Sequence, residues 1–163
     1  RVKARVKAQA LKEFMSTKER VVVMGHKITD VDALGAAIGI YRAGKTLGKP
    51  VHIVVNDPST SIRPLMAGYM NNPDYEPSMF IDRNQAIDLV DDNTVVVVVD
   101  TNKPSYTECE DLLYLTKTIV YWIITAEGMK SFRMRYFPMW SRMHPLPVRW
   151  LPRFCSTFQM ISV

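Results

Sequence analysis

Cysteine and long apolar runs are both scarce in this sequence of 163 residues. The two cysteines, Cys109 and Cys155, lie far apart and form no CxxC motif. This pattern argues against a disulfide framework or a cysteine-ligated zinc site and favours a reducing cytosol. No apolar run approaches the roughly 20 residues that span a bilayer, and the first residues, RVKARVKAQALKEF, are too polar for a signal peptide. We therefore expect no part of this chain to enter a membrane.

The positive net charge of +5 is not spread evenly along the chain. Residues 1–20 hold seven basic and two acidic residues, residues 21–120 hold eight basic and thirteen acidic, and residues 121–163 hold six basic and one acidic. An acidic central segment suits cations better than the phosphate backbone of a nucleic acid. The basic isoelectric point therefore does not indicate duplex DNA as a partner.

Short apolar runs typical of strands alternate with segments of helical periodicity along the first 120 residues. The predicted strands are residues 20–25, 51–55, 79–81, 94–99 and 117–120. The predicted helices are residues 1–16, 33–47, 62–69, 84–90 and 105–115. A run such as VVVVV is apolar on both faces, as expected for a parallel strand that is covered by helices on both sides. The sequence therefore predicts an α/β domain with a doubly wound, mostly parallel sheet.

Two of the predicted helices carry capping signals. Thr29 or Asp30 is the candidate N-cap of the second helix, and Gly48 follows its predicted end. Ser105 and Glu108 form an S-x-x-E sequence, which predicts a capping box at the start of the last helix.

Side chains that are able to bind a metal follow two of the predicted strands. His26, Asp30 and Asp32 come after the first strand, and Asp100 ends the run VVVVVD. In open α/β sheets, ligands gather outside the carboxyl ends of the strands, so we expect these four side chains to meet at one edge. Imidazole and carboxylates without thiolates suit Mn²⁺, Fe²⁺, Zn²⁺ or Mg²⁺. Two such ions can activate a water and stabilise the attacking and leaving oxygens in phosphoester hydrolysis.

Each of these four residues also has a purely structural interpretation. Asp30 or Asp32 can act only as a helix N-cap, His26 can be a structural or surface histidine, and Asp100 can start the turn that follows it. The chain is then a non-catalytic α/β module whose basic first helix and aromatic C-terminal segment bind a partner. The conjunction of HxxxDxD after one buried strand with a second strand-end aspartate favours metal binding instead.

The segments GHKITDVDALGAAIG and VVVVVDTNKPSYTE resemble the first and second motifs of the DHH phosphoesterases. In particular, they are similar to the DHH domain of the membrane-bound cyclic-di-AMP phosphodiesterases of the GdpP type, over roughly residues 1–120. The resemblance implies two Mn²⁺ ions in the intact enzyme. His26, Asp30 and Asp100 would hold the first ion, while Asp32 and the bridging Asp100 would begin the second site. No catalytic residue separate from these metal ligands is implied.

The resemblance also implies a substrate and a cellular setting. The implied reaction is hydrolysis of cyclic-di-AMP to linear pApA. A nuclease of short oligonucleotides is the alternative, since the metal motifs do not define the substrate. In that family a basic helix like residues 1–19 joins an upstream domain to the DHH domain. The implied whole protein is bacterial, dimeric and anchored in the cell membrane through upstream segments, with this domain in the cytoplasm.

The family pattern breaks after residue 120. Residues 121–163 hold all three Trp and no Asp or Asn, and they show no helical or strand period, which predicts an unstructured tail. The family's Asp-His-His triplet is missing there. Codons for YWIITA, read one base earlier, permit Leu-Asp-His-His-Arg, so we hypothesise that residues 121–163 are the frameshifted translation of a DHH-domain gene. Residues 20–120 would then be a truncated DHH domain with at most one complete metal site and no hydrolytic activity.

Overall fold

The fold is seen in a computed structural model that describes residues 2–125 and 128–136. Its centre is a six-stranded sheet with the strand order β3-β2-β1-β4-β5-β6. The strands are β1 (Arg20–Met24), β2 (Val51–Val54), β3 (Phe80–Ile81), β4 (Thr94–Val99), β5 (Thr118–Thr125) and β6 (Gly128–Tyr136). The helices are α1 (Val2–Thr17), α2 (Val31–Thr46), α3 (Arg63–Met70), α4 (Arg83–Leu89) and α5 (Leu112–Leu115). Predictions for residues 137–163 lie outside the described residues.

The order of the strands creates a crevice at one edge of the sheet. Strands β1 to β5 are parallel to their neighbours, and β6 pairs antiparallel with β5. The chain runs outward from β1 through β2 to β3, then crosses to the other side of β1 and forms β4 and β5. The direction of winding therefore changes between β1 and β4, and such a switch point is where doubly wound folds bind ligands. His26 and Asp30 follow β1, and Asp100 follows β4.

The central strands are buried on both faces, which explains their unbroken apolar sequences. In β4, Val95, Val97 and Val99 contribute to the core beneath α1, α2 and α3, while Val96 and Val98 contribute to the core beneath α4 and α5. All five valines are fully buried. Complete burial of each valine side chain is worth about 1.5–3 kcal/mol relative to exposure. The two cores therefore cover both faces of β4.

The predicted doubly wound α/β architecture is confirmed, and most of the predicted elements appear in order. Of the two candidate N-caps of α2, Thr29 and Asp30, the structure identifies Asp30. Gly48 follows α2 with a φ of 71°, a left-handed conformation that glycine adopts without steric cost. No helix of the described residues is both long and apolar enough to cross a membrane.

The helix predicted at 105–115 is wrong over most of its length. A 3-10 turn covers Pro104–Tyr106, and α5 begins only at Leu112. The predicted capping box does not form, because Thr107 pairs with His26 in a β-bridge and the Glu108 side chain accepts hydrogen bonds from other loops. Long-range bonds therefore override the local helix signal here.

The predicted end of the last strand at residue 120 is also wrong. β5 continues to Thr125, and β6 pairs with it. The residues after 120 begin with YWIIT, which is aromatic and β-branched and therefore suited to a strand. They continue the parallel pairing with β4, in which Val99 lies opposite Trp122. The expectation of an unstructured tail is contradicted for residues 121–125 and 128–136.

Candidate metal centre

The candidate site lies between the loop after β1 and the loop after β4. His26 forms its β-bridge with Thr107, and the Lys27 N–H donates to the Tyr106 carbonyl oxygen at 2.8 Å. The Glu108 N–H donates to the Gly25 carbonyl oxygen at 2.9 Å. These backbone bonds clamp the two loops against each other, so the candidate ligands of one loop face those of the other.

His26, Asp30 and Asp100 form a cluster of three candidate ligands. His26 Nε2 lies 3.3 Å from Asp100 Oδ2 and 3.7 Å from Asp30 Oδ2. One ligand atom from each residue lies within 4.8 Å of the other two. The side chains are 23%, 57% and 33% exposed for His26, Asp30 and Asp100, so the cluster opens to solvent. One imidazole and two carboxylates converging at this spacing form a donor set that suits a divalent cation such as Mn²⁺, Fe²⁺, Zn²⁺ or Mg²⁺.

Asp30 combines the two roles that its sequence position allows. Its Oδ1 accepts a hydrogen bond from the Ala33 N–H at 2.8 Å and caps α2, while its Oδ2 faces His26. The cap fixes the rotation of the carboxylate, because one oxygen is held by the first turn of the helix. The second oxygen is thereby directed into the cluster.

Asp100 is held in an unusual backbone conformation. Its φ of 61° makes it the one non-glycine residue with positive φ in the described part of the chain. Such a conformation is sterically costly for an L-residue, although Asp tolerates it better than most. The Asp100 N–H donates to the Trp122 carbonyl oxygen at 3.2 Å, which anchors the turn to β5. In this conformation the Asp100 carboxylate faces His26.

The carboxylates of Asp30 and Asp32 lie near Asp100 and affect its pKa. Burial raises the pKa of Asp100 above its usual value, and the negative charge of Asp30 raises it further. His26 lowers the pKa, and Asp32 raises it. A cation among these groups would relieve the mutual repulsion of the carboxylates.

Asp32 is not a member of the three-residue cluster. It lies in the first turn of α2, where its charge is felt by Asp100. An acidic residue in that turn also interacts favourably with the helix dipole. The assignment of Asp32 to a second metal site stays a prediction.

A shallow pocket adjoins the cluster on the side of His26. It has a volume of about 260 Å³ and is lined by His26, Lys27, Ile28, Ser105 and Tyr106. Ile28 and Tyr106 are 79% and 60% exposed, and both line the pocket. The pocket therefore offers an apolar wall directly beside the charged cluster.

Glu108 has a place near the site that the sequence did not reveal. It was predicted as half of a capping box, but its side chain is buried and accepts a hydrogen bond from the Asn56 N–H at 2.7 Å. Asn56 follows β2 and received no role from the sequence. The only sequence signal was the position of Asn56 after a predicted strand, at the same edge of the sheet as the candidate ligands.

Comparison with known proteins identifies the family. Residues 20–124 match the family model described as "DHH family, N-terminal domain". The chain is 38% identical over 122 residues to the cyclic-di-AMP phosphodiesterase GdpP of Bacillus subtilis (strain 168) and to that of Geobacillus thermodenitrificans (strain NG80-2). It is 31% identical over 123 residues to the cyclic-di-AMP phosphodiesterase PdeA of Listeria monocytogenes serotype 1/2a (strain 10403S).

These alignments cover most of this chain but little of each relative. They span 74% of this chain and 18% of the length of each of the three phosphodiesterases. The matched segment contains both motifs and the whole three-residue cluster. The chain belongs to the DHH family.

Proposed function

We propose that this chain carries the first half of the metal centre of a phosphodiesterase that hydrolyses cyclic-di-AMP to linear pApA. The observation that carries the proposal is the cluster of His26, Asp30 and Asp100 at the switch point of a DHH-family sheet. The names of the three relatives supply the substrate. The family also allows short oligonucleotides, and a substrate screen separates the two.

The donor set fits a manganese ion, which the family resemblance favours over other divalent metals. His26, Asp30 and Asp100 would hold the first ion, and Asp32 together with Asp100 would begin a second site. When bound, such ions activate a water and stabilise the charge that develops on the phosphoryl group. The capped Asp30 and the turn at Asp100 position their carboxylates before any ion arrives, which reduces the reorganisation that binding requires.

The pocket beside His26 supports a nucleotide as substrate. A phosphodiester held at the cluster places a flanking nucleoside next to Ile28 and Tyr106, whose exposed side chains offer an apolar and aromatic surface. Base stacking on such a side chain is worth about 1–3 kcal/mol. Lys27 lines the same pocket and brings a positive charge toward a phosphate.

We also propose that residues 121–163 arise from a frameshift and that the chain as given does not hydrolyse its substrate. In the parallel pairing of β5 with β4, Val99 lies opposite Trp122 and Asp100 follows directly, so residues encoded just after position 122 reach the same edge of the sheet as Asp100. The codons of residues 121–126, read one base earlier, permit Leu-Asp-His-His-Arg. A restored triplet would therefore lie beside Asp100 at the carboxyl edge and supply the missing ligands of the second ion.

The remaining domain assignments are proposals of the same kind. Residues 1–19 would be a linker helix from an upstream part of a membrane-anchored, dimeric protein, and residues 20–120 would be the cytoplasmic DHH domain. The exposure of Val6 on α1 supports a linker role, because the first half of this helix leaves an apolar residue uncovered.

Two measurements test the proposed function. Calorimetry should show Mn²⁺ binding to this chain and its loss in Asp100→Ala, and equal affinities would contradict the metal assignment. The protein encoded by a gene with the reading frame restored after residue 120 should hydrolyse cyclic-di-AMP. Source DNA in which the codons of YWIITA, read one base earlier, do not encode Asp-His-His would rule out the frameshift, whether it came from a sequencing error or a decayed gene.

A further inference from the structure

Glu108 is a buried carboxylate outside the metal cluster that bonds to two other loops. It is 7% exposed and lies between β4 and α5. Its Oε1 accepts the Asn56 N–H at 2.7 Å, and its Oε2 lies 3.5 Å from the Thr29 hydroxyl, which can donate to it. Its carbonyl oxygen accepts the Asn56 Nδ2–H at 3.1 Å, and its N–H donates to the Gly25 carbonyl oxygen at 2.9 Å. One residue thus connects the loops that follow β1, β2 and β4.

The partners of Glu108 are neighbours of the candidate ligands. Gly25 directly precedes His26, and Thr29 directly precedes Asp30. The Thr29 hydroxyl also lies 3.1 Å from the His26 carbonyl oxygen, so its single proton is shared between the Glu108 carboxylate and the backbone of the ligand loop. The Glu108 backbone N–H therefore holds the start of the segment that presents His26 and Asp30, and the Glu108 side chain contacts that segment at Thr29, next to Asp30.

We propose that Glu108 is a positioning residue that fixes the loop of His26 and Asp30 relative to Asp100 and so presets the spacing of the metal ligands. This inference rests on the proposed metal centre. Residues that orient metal ligands from outside the coordination shell typically account for 10–100-fold in metal affinity. Loss of the Glu108 side chain would also leave the Asn56 N–H without its acceptor, which destabilises the loop after β2.

The electrostatic setting of Glu108 agrees with this role. Burial raises the pKa of Glu108, while its bonds from Asn56 and Thr29 lower it. Burial disfavours the ionised form of a carboxylate, and the hydrogen bonds that the carboxylate accepts offset that penalty. A surface glutamate would offer no such constraint on the loops.

The first experiment compares Mn²⁺ affinity among matched variants. Glu108→Ala removes both side-chain oxygens, while Glu108→Gln keeps an oxygen for the Asn56 N–H. Glu76→Ala is the control, because it removes an exposed glutamate that pairs with Lys45 in the last turn of α2, opposite the capped end. We expect Glu108→Ala to weaken Mn²⁺ binding by about tenfold or more, and Glu108→Gln and Glu76→Ala by less than about threefold.

The second experiment measures amide hydrogen exchange in EDTA, where no metal contributes. The Lys27 and Ala33 amides report on the ligand loop, and Glu108 is a partner of neither. In Glu108→Ala their exchange should accelerate at least tenfold more than that of the core amides of Val22 and Val97. This comparison corrects for any general loss of stability.

The outcomes separate this inference from the proposed function. Unchanged loop exchange in Glu108→Ala overturns the positioning role, whatever happens to Mn²⁺ affinity. Faster loop exchange with undiminished Mn²⁺ affinity overturns it as well, since the loop would then not set the site. A wild-type chain that binds no Mn²⁺ contradicts the proposed function alone, because loop exchange in EDTA still reports whether Glu108 fixes the loop.

Discussion

At the N-terminus of α2, the Asp30 carboxylate divides its two oxygens between a backbone amide and the ligand cluster. The sequence offered capping and metal binding as competing explanations of this residue. They prove compatible, because a cap requires only one oxygen. The other oxygen is left to act as a monodentate ligand, which makes the two roles separable by substitution.

We predict that Asp30→Ser keeps the stability of the domain but loses metal affinity. A serine hydroxyl can cap the helix, so the free energy of unfolding in EDTA should change by less than about 0.5 kcal/mol, whereas Asp30→Ala should lose about 0.5–2 kcal/mol. Both variants should bind Mn²⁺ at least about tenfold more weakly. Denaturant unfolding and calorimetry measure the two effects. Equal stability of the two variants would count against the capping role.

The left-handed backbone of Asp100 supports a prediction of opposite effects on stability and binding. Glycine adopts a φ of 61° without strain, so Asp100→Gly should be more stable in EDTA than the wild type by about 0.5–1 kcal/mol. It should bind Mn²⁺ at least about tenfold more weakly. Asp100→Asn is the matched variant, because it removes the charge but keeps a side chain in the left-handed conformation. If Asn and Gly variants unfold at the same denaturant concentration, backbone strain is not the cause.

Among the elements, α2 matters most for the site, since it packs on the sheet and carries Asp30 at its start. Its close approach occurs at Gly44, where an added Cβ would lie 2.5 Å from Val51 Cγ2. Val51 is fully buried and branched at Cβ, so it has little freedom to move aside. Gly39 is on the exposed side of the same helix and has no neighbour within 4 Å of an added Cβ.

We predict opposite effects of alanine at these two glycines. Gly44→Ala should destabilise the domain by about 1–3 kcal/mol through overpacking against β2. Gly39→Ala should stabilise it by about 0.5–1 kcal/mol, because alanine restricts the unfolded chain and favours the helix. Denaturant unfolding of the two variants provides the measurement. A stabilising Gly44→Ala would show that α2 can shift away from the sheet.

The elements also show which sequence signals are reliable. Both ends of β4 were predicted correctly, because five consecutive valines are typical of a strand that is buried on both faces of a sheet. The helix predicted from Ser105 failed, because its signal was a local capping pattern that competes with bonds to distant loops. Periodicity and apolar runs indicate which residues are buried, and burial stabilises the whole fold. A polar side chain near a strand end can instead form hydrogen bonds with several alternative partners, so its local sequence does not determine its structure.

At the scale of the whole molecule, part of the site followed from topology alone. His26, Asp30, Asp32 and Asp100 were expected together because parallel strands end at the same edge, and the structure groups His26, Asp30 and Asp100 without Asp32. The hydrogen bonds of Glu108 with Asn56 and Thr29 could not be predicted, because they depend on how three loops are placed relative to one another at the edge of the sheet. Sequence patterns encode where strands end but not which loop side chains then meet.

We predict that Mn²⁺ stabilises the folded chain in a concentration-dependent way. An ion that binds only the folded state adds about 2.7 kcal/mol at a free concentration one hundred times its Kd. For a chain of this size that corresponds to a rise in Tm of roughly 5–11 °C. Thermal unfolding in EDTA and at increasing Mn²⁺ provides the test, with Asp100→Ala as the control. A rise of equal size in the control would indicate binding elsewhere.

The cluster draws its ligands from two loops that are separated in sequence by α2, β2, α3, β3, α4 and β4. No local stretch of chain contains the complete donor set, so an ion would find it only after β1 and β4 have paired. The number of ions bound per chain would therefore report the fraction of correctly folded molecules. The shortfall from one ion per chain would give the fraction of a preparation in which β1 and β4 have not paired correctly, without any assay of activity.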